Sequence, residues 1–246
     1  MSSTETTRTA LVTGGSGGIG RAAALRLAAD GIAVGVHYAG NKARAEEVVS
    51  TIEAGGGRAI AVGGDVAEPA DMAAAFDAVE QAFGGVDVVV HTAGIMILAP
   101  LAELDLDDLD RMHRTNIRGT VVVAQEAARR VRTGGAIIAF STSVTRLSFP
   151  TYGGYVASKG AVEALVPVLA REMRGRDVTV NAVAPGPTAT PLFLDGKSDE
   201  QVAGLAKAAP LERLGRPEDI AEAVAFLAGP ARWVNGQTLF ANGGLA

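Results

Sequence analysis

The chain contains no cysteine. That excludes disulfides, thiolate-held metals and cysteine nucleophiles together. Histidine is nearly as scarce. His37, His91 and His113 are the only three, and their spacing fits no zinc site, so no metal is expected. Positive charge is in deficit, with 22 Lys and Arg against 27 Asp and Glu and a net charge of −5. Electrostatics therefore gives no reason to expect nucleic acid or an anionic membrane surface as a partner. No apolar run approaches the ~20 residues of a membrane span, and no Asn-x-Ser/Thr triplet occurs. Residues 1–8 are rich in Ser and Thr and lack an apolar segment, which reads as a loose tail and not a signal peptide. The expected setting is soluble and cytoplasmic.

Aromatic residues are also few, at 4%, whereas glycine supplies 31 of 246 residues and apolar residues 48%. That mixture suits buried parallel strands, tight turns and Ala-rich helices packed closely on a sheet. Short apolar runs predict strands at 9–13, 33–38, 58–62, 86–90, 136–140, 178–183 and 237–241. Helical patterns lie between them, over 21–30, 42–54, 69–83, 104–132, 155–174 and 217–227. Pro69 and Pro217 stand at helix starts and Gly31 at a helix end, where each belongs. Pro167 falls inside a helix and predicts a bend. Strand and helix alternate throughout, with no repeat or linker. The expectation is one α/β domain over 9–246, a doubly wound sheet of seven mostly parallel strands with helices on both faces.

Two stretches carry chemistry. In Tyr155-Val156-Ala157-Ser158-Lys159 the phenol and the ammonium are four residues apart, on one helix face. A free phenol ionises near pH 10, and a nearby positive charge favours the phenolate. Lowering that pKa by two or three units takes roughly 3–4 kcal/mol, which one close ammonium in a partly desolvated site can supply. The pair then reads as the acid–base group that carbonyl reduction or alcohol oxidation requires. The second stretch, Thr13-Gly14-Gly15-Ser16-Gly17-Gly18-Ile19-Gly20, leaves a strand and opens a helix. Its glycines admit a pyrophosphate close to the backbone, and the helix N-terminus stabilises the negative charge. This is Rossmann-type context, although the spacing is wider than the common dinucleotide fingerprint.

Together with Asn116, His91-Thr92-Ala93-Gly94 and Pro185-Gly186, these stretches resemble the short-chain dehydrogenase/reductase family from Arg8 to the C-terminus. The likeness is greatest to its 3-oxoacyl-[acyl-carrier-protein] reductase-like branch. The resemblance implies that Tyr155 donates the proton, that Lys159 acidifies it and holds the nicotinamide ribose, and that Asn116 holds a water linking the lysine to solvent. It also implies a hydroxyl at the end of the fifth strand that bonds the substrate oxygen. Counting thirteen back from Tyr155 gives Thr142, and the Ser-Val pattern gives Ser143, which stands slightly ahead. For the cofactor, Gly14, Ser16, Gly17, Gly18, Ile19 and Gly20 match the phosphate turn, and His37, Tyr38, Asn41 and Lys42 the end of the second strand. Asp65 and Val66 match the pair beside the adenine, Asp65 reading equally as a helix cap. Thr92, Ala93 and Gly94 match the segment behind the cofactor, and Pro185, Gly186, Thr188 and Thr190 the grip on the nicotinamide amide. The family usually has asparagine at the first two positions of the His91–Gly94 segment, so Thr92 lacks the amide that braces the sheet.

No acid occurs among residues 37–42, while Lys42 and Arg44 can attract a phosphate and Asn41 can donate to it. This favours NADP(H) over NAD(H). Gly17 argues the other way, because many NADP members carry a basic residue there. Residues 188–213 interrupt the strand–helix rhythm and match the family's substrate lid. Met96, Leu98, Val144, Phe149 and Tyr152 are expected to line an apolar pocket suited to a ketone, a 3-oxoacyl thioester or a ring ketone. Residues 233–244 match the region that packs against another subunit, implying a homotetramer or homodimer. The reading is an NADP(H)-dependent oxidoreductase acting on a small carbonyl or alcohol. The alternatives are a catalytically silent cofactor-sensing protein on the same scaffold, and a sugar-nucleotide epimerase, for which the chain is short.

Overall fold

The computed structural model describes residues 7–246, so most of the tail expected over 1–8, residues 1–6, lies outside the described residues. In chain order the elements are β1 (Thr9–Thr13), α1 (Gly18–Ala29), β2 (Ala33–Tyr38), α2 (Lys42–Ala54), β3 (Ala59–Gly63), α3 (Pro69–Phe83) and β4 (Val86–His91). Then follow α4 (Leu106–Met112), a π-turn (His113–Arg118), α5 (Gly119–Arg130), β5 (Val131–Phe140), α6 (Val144–Leu147) and α7 (Gly153–Glu172). The chain ends with β6 (Thr179–Pro185), α8 (Pro191–Leu194), α9 (Asp199–Ala208), α10 (Pro217–Ala228) and β7 (Thr238–Ala241).

The strands form one sheet in the order β3-β2-β1-β4-β5-β6-β7, and every pair is parallel. Period-two alternation decides which way each side chain points. Ala10 and Val12 of β1 join Leu27, Val48, Ile52, Ile220 and Val224 of α1, α2 and α10 on one face. Leu11 joins Phe76, Val79, Val122, Val162 and Val166 of α3, α5 and α7 on the other. Strand order reverses between β1 and β4. The loops leaving the carboxyl ends of those strands diverge there and open a crevice.

Two sequence expectations change. The helix expected over 104–132 is α4, the π-turn and α5, preceded by a short 3-10 turn at Leu101–Glu103. Strand β5 starts five residues earlier than its apolar run, because Val131 already pairs with Val86 before a register shift between Val86 and Val88. Helix α7 runs unbroken through Pro167. Val162, Val166 and Leu169 are buried on either side of it, and their packing offsets the one hydrogen bond that proline forfeits. No helix among the described residues is long and apolar enough to cross a membrane.

Candidate active site

The crevice begins at the glycine turn. A Cβ on Gly20 would stand 2.3 Å from the Gly14 carbonyl oxygen and 2.5 Å from the Thr92 hydroxyl, so only glycine lets α1 start this close to β1. Gly14 has φ +68°, which also favours glycine. Gly17 is different. It precedes α1 in extended backbone, and a Cβ there would meet nothing within 4 Å. No side chain caps α1 and no acid stands in its first turn, so its N–H groups remain available to an anion. Ser16, Gly17, Gly18 and Ile19 are half-buried along this turn. Thr92 corrects the expectation of a missing brace. Its hydroxyl donates to the Thr13 carbonyl at 2.6 Å, doing for β1 what an amide would do. The residues present therefore fit a dinucleotide diphosphate.

At the far end, Asn41 caps α2 by accepting from the Arg44 N–H at 3.0 Å, and Lys42 is exposed beside Glu46 at 3.2 Å. The Tyr38 ring lies over Gly63. His37 does not belong to this rim. Its side chain is buried, and burial pushes the imidazole down to about 4, against a smaller opposing pull from the Gly64 backbone. Asp65 accepts from the Ala67 N–H at 2.9 Å and from Arg114 at 2.6 Å. Burial opposes its ionisation, but those two donors hold the carboxyl below its ordinary value. It does not cap α3, whose N-cap position is Glu68. The Val66 side chain faces the core, against Gly119.

Tyr155 and Lys159 lie one turn apart on α7 and are both buried. The ammonium is 5.9 Å from the centre of the phenol ring and donates to the Phe140 carbonyl at 2.9 Å. The expected acidification of Tyr155 is reversed. Burial pushes the phenol up to about 12, against an opposing pull from the Thr142 side chain within hydrogen-bonding reach. That rise from 10 costs the phenolate roughly 3 kcal/mol. Burial also pushes Lys159 down to about 8. At neutral pH the tyrosine therefore carries its proton and the lysine its charge.

Both candidate hydroxyls, Thr142 and Ser143, line the cavity described next. Ser143 donates to the Ala184 carbonyl at 3.1 Å and accepts from the Asn242 amide at 3.1 Å, so its oxygen is engaged away from the phenol. The Thr142 hydroxyl accepts from the Val144 N–H at 3.4 Å and also pulls on the Tyr155 phenol. Asn116 sits fully buried in the π-turn. Its side chain accepts from the Ile95 N–H at 2.9 Å and donates to the Ile95 carbonyl at 2.9 Å and the Ser158 hydroxyl at 3.0 Å. Gly94 brings Asn116 and Lys159 to one place, since a Cβ on it would lie 3.1 Å from the Asn116 oxygen and 3.4 Å from the lysine nitrogen.

Above these groups opens a cavity of about 130 Å³, continuous with solvent. Pro185, Gly186, Thr188 and Thr190 form one wall, and Met96, Val144, Phe149 and Tyr152 line it as expected. Leu98 does not line it and belongs to a neighbouring pocket that shares Met96, Phe149 and Tyr152. Leu192, Phe193 and Leu205, from α8 and α9 of the 188–213 excursion, complete the wall. The rings of Phe149, Tyr152 and Tyr155 follow one another edge to face, 6.0 and 6.4 Å apart. Sequence reasoning missed Leu147, Leu205, the Phe140 carbonyl and Ser158. Only Ser158 left a signal, as the residue just before the lysine.

A family model described as enoyl-(acyl carrier protein) reductase matches residues 14–246. The chain is 45% identical over 248 residues to a short-chain type dehydrogenase/reductase of Picea abies, covering 96% of this chain and 92% of that one. It is 41% identical to an NADPH-dependent aldehyde reductase-like protein, chloroplastic, of Arabidopsis thaliana, over 96% of this chain and 93% of the relative. Among solved structures, a short-chain dehydrogenase from Burkholderia cenocepacia J2315 in complex with NADP is similar, with TM-score 0.91 and 40% identity over 97% of each chain.

Proposed function

The chain belongs to the short-chain dehydrogenase/reductase family of oxidoreductases, and from that premise we propose that it is an NADP(H)-dependent carbonyl reductase acting on apolar ketones. One observation carries the reading. A tyrosine and a lysine are buried side by side at the base of an apolar cavity that adjoins an uncapped glycine turn.

Gly17 and Gly18, with the backbone of Ser16 and Ile19, would hold the diphosphate, Lys159 the ribose, and Pro185, Gly186, Thr188 and Thr190 the nicotinamide amide. When bound, the nicotinamide supplies the hydride. Tyr155 supplies the proton to the carbonyl oxygen, and its raised pKa keeps that proton available at neutral pH. Thr142 shares the carbonyl oxygen with Tyr155 and orients it. The charge on Lys159 offsets negative charge developing on Tyr155 as the proton leaves. The absence of an acid in residues 37–42, the free side of the Asn41 amide, and Lys42 support NADP over NAD. The walls of aliphatic and aromatic side chains support an apolar ring or chain next to the carbonyl. Residues 188–213 act as the lid that closes over it.

Absorbance at 340 nm, followed with NADPH or NADH and a panel of ring ketones, quinones and 3-oxoacyl thioesters, tests the reading. Consumption of NADPH with an apolar ketone is expected. NADPH binding with no consumption on any carbonyl would mark the chain as a silent cofactor-binding protein instead.

A further inference from the structure

A hydrogen-bonded chain runs from the glycine turn to Tyr155 through a residue without an assigned role. His91, at the end of β4, is buried. Its Nδ1 lies 2.7 Å from the Thr13 hydroxyl and its Nε2 3.1 Å from the Thr120 hydroxyl. Thr120 gives its one hydroxyl proton to the Asn116 carbonyl, at 2.6 Å. Its oxygen must then accept from His91, so the imidazole carries its proton on Nε2, and Nδ1 accepts from Thr13. Asn116 passes the constraint on through its side chain to Ser158, whose hydroxyl donates to the Tyr155 carbonyl at 2.7 Å.

We propose that His91 is a positioning residue: with Thr120 it fixes the Asn116 π-turn, and through Asn116 and Ser158 it sets Tyr155 relative to the glycine turn that holds the cofactor. Three features support this. Thr13, Thr120, Asn116 and Ser158 are all buried, so each break leaves a polar group without water to replace the lost partner. Asn116 lies where the helix ladder departs from the α pattern, and the Thr120 bond pins its carbonyl at that point. Burial and the charge of Lys159 push the imidazole down to about 3, so only one ring nitrogen carries a proton, and the Thr120 bond to the Asn116 carbonyl makes it Nε2. The inference rests on the proposed reduction for its kinetic consequence, and on geometry alone for the chain itself.

The experiment compares His91→Phe, Thr120→Val, the double variant and His91→Gln, which retains a donor and an acceptor. Each single break is expected to lower kcat for NADPH-dependent reduction on the order of tenfold. The KM of the ketone and the affinity for NADPH should stay within a few-fold, and the double variant should be no slower than the slower single. His91→Gln should recover part of the loss. Thr120→Val changes little volume and keeps the test open if His91→Phe does not fold. Independent, multiplying losses would overturn the proposal, as would unchanged kcat or a loss explained by weaker NADPH binding. The NMR resonance of the Asn116 side-chain amide gives a readout without turnover. A shift in both single variants supports the chain even if the wild type reduces no carbonyl, and an unmoved resonance overturns it.

Discussion

Burial acts on Tyr155 and Lys159 in the same sense, against charge, but the two respond differently at working pH. The phenol, at about 12, remains protonated throughout the accessible range. The ammonium, at about 8, loses its charge within it. Reduction should therefore slow as pH rises through about 8, with no further inflection from the tyrosine. A pH profile of kcat at saturating NADPH checks this, and a rate flat to pH 10 would remove the lysine charge from the mechanism. The helical spacing of the pair was legible because it is local. The direction of the tyrosine shift was not, because burial is a tertiary quantity that sequence spacing does not report. The same holds for Thr142 and Ser143, whose order depends on which hydroxyl Asn242 and the Ala184 carbonyl engage. Thr142→Val should lower kcat by about 10²-fold or more, as loss of a donor to a developing charge does. Ser143→Ala should lower stability by ~1 kcal/mol and leave kcat within a few-fold. Equal kinetic losses in the two variants would undo the assignment.

Among the elements, the glycine turn was readable from strand, glycines and helix in succession. Its internal division of labour was not. Gly20 is closed in by backbone, and Gly17 faces open space. Gly20→Ala should force α1 away from β1 and cost about 1–3 kcal/mol, visible as a lower urea midpoint. Gly17→Ala should keep the wild-type midpoint and weaken NADPH binding, measured by nucleotide fluorescence, since its open side is where the diphosphate is proposed to lie. Equal effects in the two variants would contradict that division. The π-turn left no trace in sequence, because one extra residue in a helix of continuous apolar period changes the phase without breaking the pattern. The early start of β5 was hidden for a related reason. Thr133, Gly134 and Gly135 interrupt the apolar run although Val131 is already paired.

At the scale of the whole molecule, all seven strands and the parallel α/β class were legible, because strands buried on both faces read as uninterrupted apolar runs. Strand order was not, since it follows from how the crossovers wind and not from any single segment. Nor did sequence show that the interior holds two neutral histidines. His37 stays unprotonated until about pH 4 in the folded chain, whereas an unfolded chain takes up that proton near 6.5. Stability should therefore fall as pH drops from 6.5 towards 4, by roughly 3 kcal/mol from this residue alone. His91 acts in the same direction, to about pH 3. Urea midpoints at neutral and acid pH check the slope, and His37→Phe should flatten it. An unchanged slope in that variant would place the acid sensitivity elsewhere.

The most direct test of the account is Tyr155→Phe, assayed at neutral pH for NADPH consumption with an accepted ketone and, on the same preparation, for NADPH affinity. Loss of turnover by about 10³-fold or more, with affinity within a few-fold of wild type, is the predicted result. Turnover within tenfold of wild type would show that the proton reaches the carbonyl from another group.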